Sequence, residues 1–343
     1  MDVRLSPEQV ALRDSAAQVV NRLGPRTVAQ LDDAERAGKL DAAVAAAGWR
    51  ELRTAAEDGS PWASAVEVAV IAEELGRGLA DAAFVGPTLA ADLRRRAGAP
   101  PASSNETVAL GRDFSRLAVV DDDAEVIAID AHGARSALVA AGESGRRLGV
   151  VPLGAETTSA DLTRPVARRK GGEPVAVLHG QTRRLEADDV ARWQSLGLAV
   201  LCADLVGTMR GALTLATEYA KARRQYGAAI GSFQAVQHLL ADAHVATEGS
   251  RSIALHAAWA VDALPASDAM AACSAAKAYC ARAARSVCET SIQVHGGIGN
   301  TWECLAHVFL RRALYSTEVL GGIGPNLERV LAARGIGGGD GFR

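Results

Sequence analysis

Apolar residues recur at helical spacing over the first hundred positions and again from residue 188 to near the end; between them lie short runs without that period. Ser6-Pro7-Glu8-Gln9 opens the first helical pattern: Ser6 can cap, Pro7 suits the first helical position, and Gln9 completes a capping box. Val10, Leu12, Ala16, Val19 and Val20 then form an apolar stripe. A second pattern runs from Leu40 to Ala47 and stops at Gly48, and a third spans Trp62 to Leu75 and ends at Gly76. Phe84 to Ala97 predicts a further helix, interrupted only near Gly86-Pro87.

The stretch 98–104 combines two prolines with small and polar residues, which neither a helix nor a central strand tolerates, so it marks a boundary. Beyond it, Thr107 to Leu110, Leu117 to Val120, Val126 to Ile129, Ala137 to Ala140, Leu148 to Pro152 and Pro174 to His179 read as short strands. Asp121-Asp122-Asp123 reads as a solvated hairpin tip rather than a metal site. Asp188 to Ala222 has no proline and predicts one helix about 50 Å long at 1.5 Å per residue. Phe233 to Asp262, Ala266 to Val294, Glu303 to Leu314 and Pro325 to Ala333 complete a helical bundle. The expected layout is a helical domain over 1–100, a β domain over 101–187 and a helical bundle over 188–343: a mainly α fold with a small β domain.

Composition agrees with this. The chain has 343 residues, more than one core usually serves, and is 49% hydrophobic with only 4% aromatics, which favours closely packed Ala-, Leu- and Val-rich helices. A net charge of −3 offers no basic footprint for nucleic acid or an anionic membrane. No apolar run follows a basic start, and none reaches the roughly 18 uninterrupted residues of a membrane span, so a cytoplasmic location is expected. The five cysteines, Cys202, Cys273, Cys280, Cys288 and Cys304, lie in helical patterns without metal spacing and read as buried reduced thiols.

Candidate chemistry concentrates between Tyr219 and Asn300. Arg223, Arg224 and Tyr226 stand where a long helix gives way to a Gly-containing turn, a setting in which a guanidinium can clamp a diphosphate. Gln234 and Gln237 open the next helix, and Gln293-Val294-His295-Gly296-Gly297 closes the stretch with a glycine pair on which a ligand can lie. Singly, an Arg pair at a helix end is a solvated charge complementing the helix dipole, and Gly-Gly is a plain cap. In this order and spacing the signals resemble the C-terminal domain of the FAD-dependent acyl-CoA dehydrogenases. Ala72-Glu73-Glu74-Leu75-Gly76-Arg77-Gly78 likewise resembles a segment of that family's N-terminal helical domain. Glu73 and Glu74 point about 100° apart on a helix and read as a polar edge, not as paired catalytic carboxylates.

The resemblance implies a helical domain, a middle β domain and a C-terminal four-helix bundle. It implies that Arg223, Tyr226, Gln234, Gln293, Gly296 and Gly297 hold the FAD tail of a neighbouring subunit. The reaction implied is α,β-dehydrogenation of an acyl-CoA thioester: a carboxylate takes the α-proton while hydride passes to flavin. Two positions carry that carboxylate in the family, and they correspond here to Leu320 and to about Gly197. Asp204 is the nearest carboxylate on the long helix, a weak candidate base read otherwise as a surface or interface ion pair, and Glu318 is weaker still. The middle-domain runs that wrap substrate and ring are also missing. The pattern resembles the non-catalytic subunit of the heterotetrameric (α2β2) enzymes that actinobacteria use in steroid side-chain breakdown. The alternatives are a self-sufficient dehydrogenase using Asp204, as a homo-oligomer, and a non-enzymatic scaffold.

Overall fold

A computed structural model of the protein describes residues 4–120, 126–142, 146–170, 173–178 and 182–336; Asp121-Asp122-Asp123 and His179 lie outside the described residues. Four helices come first: α1 (Pro7–Leu23), α2 (Ala34–Ala46), α3 (Ala65–Arg77) and α4 (Val85–Ala97). The capping box of α1 is formed in both directions, Gln9 N–H to Ser6 Oγ and Ser6 N–H to Gln9 Oε1. Helix α3 does not stop at Gly76 but runs to Arg77, and α4 is unbroken because Gly86 and Pro87 fall in its first turn, where proline costs no hydrogen bond.

Among the described residues, six strands follow: β1 (Glu106–Leu110), β2 (Ile127–Ala128), β3 (Ser136–Ala141), β4 (Arg147–Thr157), β5 (Val166–Arg169) and β6 (Ala176–Val177). Their order is β3-β1-β2-β5-β4-β6, and β4 also pairs back onto β3, which closes the sheet into a small barrel. Strand β4 does this by pairing with β3 over Arg147–Pro152 and with β5 from Leu153, switching partners at an irregularity between Leu153 and Glu156. Among the described residues, one apolar cluster of this domain is built from alanines and valines, among them Ala109, Ala128, Ala137, Val139 and Ala167, with Leu153 packed on it. Leu117 to Val120 makes isolated bridges to Leu110 and Ala140 rather than a strand, whereas β5, four residues of which two are arginines, carries too little apolar alternation to be read from sequence.

The remaining helices are α5 (Ala187–Ala222), α6 (Gln234–Ala263), α7 (Ala266–His295), α8 (Ala306–Glu318) and α9 (Ile323–Ala333). Helices α5 to α8 pack on one another, and α9 lies against α7. Helix α5 is long and apolar enough to cross a membrane, but 89% of its most apolar window is buried inside the protein, so its apolarity serves the core. It packs against α3 on one side and α7 on the other, and Trp193 on α5 donates to Leu89 O at 3.1 Å, tying it to α4. All five cysteines are buried and free.

One charged group lies at the centre of this bundle. Lys277 on α7 is fully buried and donates to the carbonyls of Ser316 (2.7 Å) and Val319 (2.6 Å), closing the C-terminal end of α8. Burial lowers its pKa from 10.5 to about 8, against the raising influence of Cys202 and Glu318. A lysine whose folded pKa is depressed binds fewer protons folded than unfolded between those values, so stability from this group rises with pH across the window from about 8 to 10.5. Lys277→Met should therefore fall further behind the native protein as pH rises through that window, and urea unfolding at either end of it measures the difference.

Candidate functional site

Helix α5 ends because Arg223 leaves the helical conformation, its N–H still bonded to Tyr219 O at 2.8 Å. The chain then makes a hairpin, β7 (Arg224–Gln225) against β8 (Ala228–Ala229), whose two-residue loop is Tyr226-Gly227 with φ of 52° and 78°. A loop with both residues left-handed matches strand twist, which is why the glycine is there. Tyr226 stands out from it, 94% exposed. Ile230 N–H returns to Arg223 O at 2.8 Å, and α6 begins at Gln234 after Phe233. Gln237 is spent locally, its side-chain amide donating to Gly231 O at 3.1 Å.

The third segment arrives from α7. Gly296 ends that helix with φ 65° and ψ −143°, a backbone shape open only to glycine, and a Cβ on Gly296 or Gly297 would meet nothing within 4 Å. Ala216, Ala220 and Val294 form a small separate core, with Tyr219, Ile230, Val236 and Leu240 packed on it. That core brings the three sequence segments to one end of the bundle. Arg223, Tyr226, Gln234, Gln293, Gly296 and Gly297 are all exposed there. Among the described residues, the side chains of Arg223, Gln234 and Gln293 have no hydrogen-bond partner. A free guanidinium, two free carboxamides and an open glycine backbone can receive a polar anionic ligand presented from outside the chain.

One contact here was not legible in the sequence. The Tyr219 ring stacks on His295 with centroids 4.5 Å apart, and His295 Nδ1 bonds Ser291 O at 2.7 Å. The stack joins the residue that caps Arg223 to the one before Gly296. Neither residue type signals such a pairing 76 positions apart in sequence.

The two expected base positions meet elsewhere, in the core between α4, α5 and the segment after α8. Leu320 is fully buried with φ 61°, and its N–H donates to Phe114 O at 2.7 Å. Phe114, also left-handed at φ 56°, lies edge-on to Tyr315 with ring centroids 6.2 Å apart. A Cβ built on Gly197 would lie 2.2 Å from Leu320 Cδ1 and 3.4 Å from both methyls of Leu89. Two positions 123 residues apart in sequence are thus in contact, and both are apolar. Glu318 is exposed, its carboxylate beside Gly322.

Asp204 is neither at a surface nor at an interface. It is 1% exposed, its Oδ1 accepting from Arg312 Nη2 (2.6 Å) and Nε (3.1 Å), and its Oδ2 from Arg164 Nη2 (3.1 Å) and Ser316 Oγ (2.8 Å). Burial pushes its pKa up, but Arg164, Arg312 and these hydrogen bonds outweigh that and hold it below the usual carboxylate value. A carboxylate with both oxygens saturated by fixed cations and held at low pKa is a poor proton acceptor. Sequence reasoning placed Asp204 outside the core because its two arginine partners come from the β domain and α8. The polar edge read at Glu73 and Glu74 is also corrected: both are buried, and Arg210 Nη1 reaches both, at 2.5 and 2.9 Å. Burial raises the pKa of Glu73 against the opposing pull of Arg210 and Arg251.

Comparison with known proteins places these features in context. The profile of the acyl-CoA dehydrogenase C-terminal domain matches residues 196–334. Acyl-CoA dehydrogenase IpdE2 of Mycobacterium tuberculosis is 32% identical over 273 residues, covering 77% of this chain and 76% of that protein. Among solved structures, a chain of the ChsE4-ChsE5 complex from Mycobacterium tuberculosis superposes with a TM-score of 0.80 at 24% identity, covering 98% of this chain and 99% of that one. A chain of the Tcur3481-Tcur3483 steroid ACAD G363A variant gives 0.79 at 24% identity, over 96% and 98%.

Proposed function

The chain belongs to the acyl-CoA dehydrogenase family, and from that premise we propose that it is the subunit of a mixed acyl-CoA dehydrogenase that lacks its own base and completes the FAD site of a partner. FAD is the cofactor of the family and, when bound, accepts the hydride. The observation that carries the reading is the contact between Leu320 and Gly197. Removing an α-proton needs a carboxylate within hydrogen-bond reach of it, and a leucine methyl packed against a glycine offers none. Asp204 does not replace it, being saturated by Arg164, Arg312 and Ser316.

The residues at the other end of the bundle fit the polar tail of FAD. Arg223 would pair with the diphosphate, Gln234 and Gln293 would donate or accept at its polar rim, and the Gly296-Gly297 backbone would let it approach. Their exposure fits a ligand shared with a second chain rather than one enclosed by this chain alone. Tyr226, on the projecting hairpin, would pack against that chain. The related fold of the ChsE4-ChsE5 complex supports a partner that is a second acyl-CoA dehydrogenase chain, and the Tcur3481-Tcur3483 steroid ACAD supports a steroid-derived acyl-CoA as substrate. The assembly would work in the cytoplasm as an α2β2 tetramer.

The test is to purify the chain alone and together with a partner acyl-CoA dehydrogenase chain, and assay acyl-CoA oxidation with an artificial electron acceptor. The chain alone should be inert, and the mixed complex should be yellow and active, with about half the flavin sites of a homotetramer. Oxidation by the chain alone, abolished by Asp204→Asn, would return the base to Asp204. A complex that never binds flavin would leave a scaffold.

A further inference from the structure

Helix α4 has two faces with different surroundings. Leu89 and Leu93 point into the core, Leu89 toward Gly197. On the opposite face, Pro87, Ala90, Ala91, Arg94 and Arg95 line a half-open cavity of about 230 Å³, bounded elsewhere by Arg50, Glu51 and segments 99–106 and 132–134. It is therefore separate from the place where the base positions meet. Much of its wall is apolar, from Ala83, Pro87, Ala90, Ala91 and Ala99, but three arginines also line it.

Two of these arginines are neutralised. Arg94 holds Glu106, which also lines the cavity, through Nε (2.5 Å) and Nη2 (2.9 Å), and Arg50 is paired with Asp41. Arg95 is different. It donates to Asp92 at 2.8 Å, but the same carboxylate also serves Arg53 and Arg96, and the further carboxylate in the cluster, Asp262, is taken by Arg53. Three guanidiniums thus share two carboxylates, and one of the three, Arg95, lines the cavity, its Nη1 also donating to Gly59 O at 3.3 Å. Asp189 also acts on this cluster through Arg96, but it is bonded to Arg183. Arg95 Nε is buried with no hydrogen-bond partner among the described residues, as is Nδ1 of His132, another lining residue. Glu51 lines the cavity too, but its side chain is exposed to solvent.

We propose that this cavity binds a small carboxylate, its carboxyl group meeting the Arg95 guanidinium and its apolar body resting on Pro87, Ala90 and Ala91. An arginine with an unpaired buried Nε beside apolar walls selects an anion that carries hydrocarbon, and a volume of about 230 Å³ limits it to a short chain. The site lies outside both the shared end of the bundle and the base positions, so it does not depend on the proposed catalytic role.

The full chain, in whatever assembly it purifies, can be titrated calorimetrically with hexanoate, with hexylamine and inorganic phosphate as comparisons. Saturable hexanoate binding is expected, weakened at least tenfold by Arg95→Gln and abolished by Ala91→Leu, which fills the cavity from a half-buried helix position. Hexylamine should not bind, and phosphate should bind more weakly than hexanoate. No saturable hexanoate binding, equal binding of hexylamine or phosphate, or binding that survives Ala91→Leu would each overturn the assignment. Should Arg95→Gln fail to fold, Ala91→Leu decides alone, since a leucine is readily carried by a helix.

Discussion

Asp204→Asn is expected to lower the unfolding free energy by about 3 to 5 kcal/mol, the cost of removing one partner from a buried ion pair and leaving the others uncompensated. Arg164 keeps Asp161 at 2.7 Å, so the loss falls chiefly on Arg312, whose remaining acceptors are Ala80 O and Thr163 Oγ1. Because the folded pKa of Asp204 lies below its ordinary value of 3.8, its stabilising contribution is complete above that value and is lost as pH falls through the folded pKa. The gap between native and Asp204→Asn protein should therefore be widest near neutrality and close in acid. Chemical denaturation at pH 7 and below pH 4 reads both quantities. A variant as stable as the native chain at pH 7 would mean that the network does not hold the β domain to the bundle.

Arg223→Ala should weaken FAD binding by the mixed assembly while leaving the fold unchanged. Losing a charge-assisted hydrogen bond costs about 1.5 to 3 kcal/mol, which is roughly ten- to a hundredfold in dissociation constant. The guanidinium is exposed and has no hydrogen-bonding side-chain partner among the described residues, so its removal should break no packing. Flavin fluorescence during titration gives the affinity, and thermal unfolding of the flavin-free complex provides the control. Unchanged affinity would remove the main support for a tail site at this end of the bundle. Lowered stability without lowered affinity would recast Arg223 as a helix-end charge.

How much of this could be read before the structure depended on the range of the interactions. The helices were legible because their apolar spacing is local: the pattern from Asp188 to Ala222 and the capping box at Ser6 need no distant partner. The exposed motif residues were legible for the same reason, each signalled by its own turn or helix end. What stayed hidden were pairings across the chain. Asp204 looked like a surface charge until Arg164 and Arg312 enclosed it, and Glu73 and Glu74 seemed to diverge until Arg210 reached both. The short strand β5 was hidden differently. Its arginines mask the alternation, and only pairing with β2 and β4 makes it a strand.

The packing of Leu320 on Gly197 also bears on how this chain could change over generations. Any side chain at residue 197 collides with Leu320, and a glutamate in place of Leu320 would put an ionised group into an apolar, fully buried spot at a backbone twist that favours glycine. Neither position gains a carboxylate by one substitution without cost, because the change at 197 has to displace the Leu320 side chain and the change at 320 has to bury a charge. The interlocked pair therefore acts as a ratchet: with both positions apolar, a carboxylate at either one calls for a second change beside it.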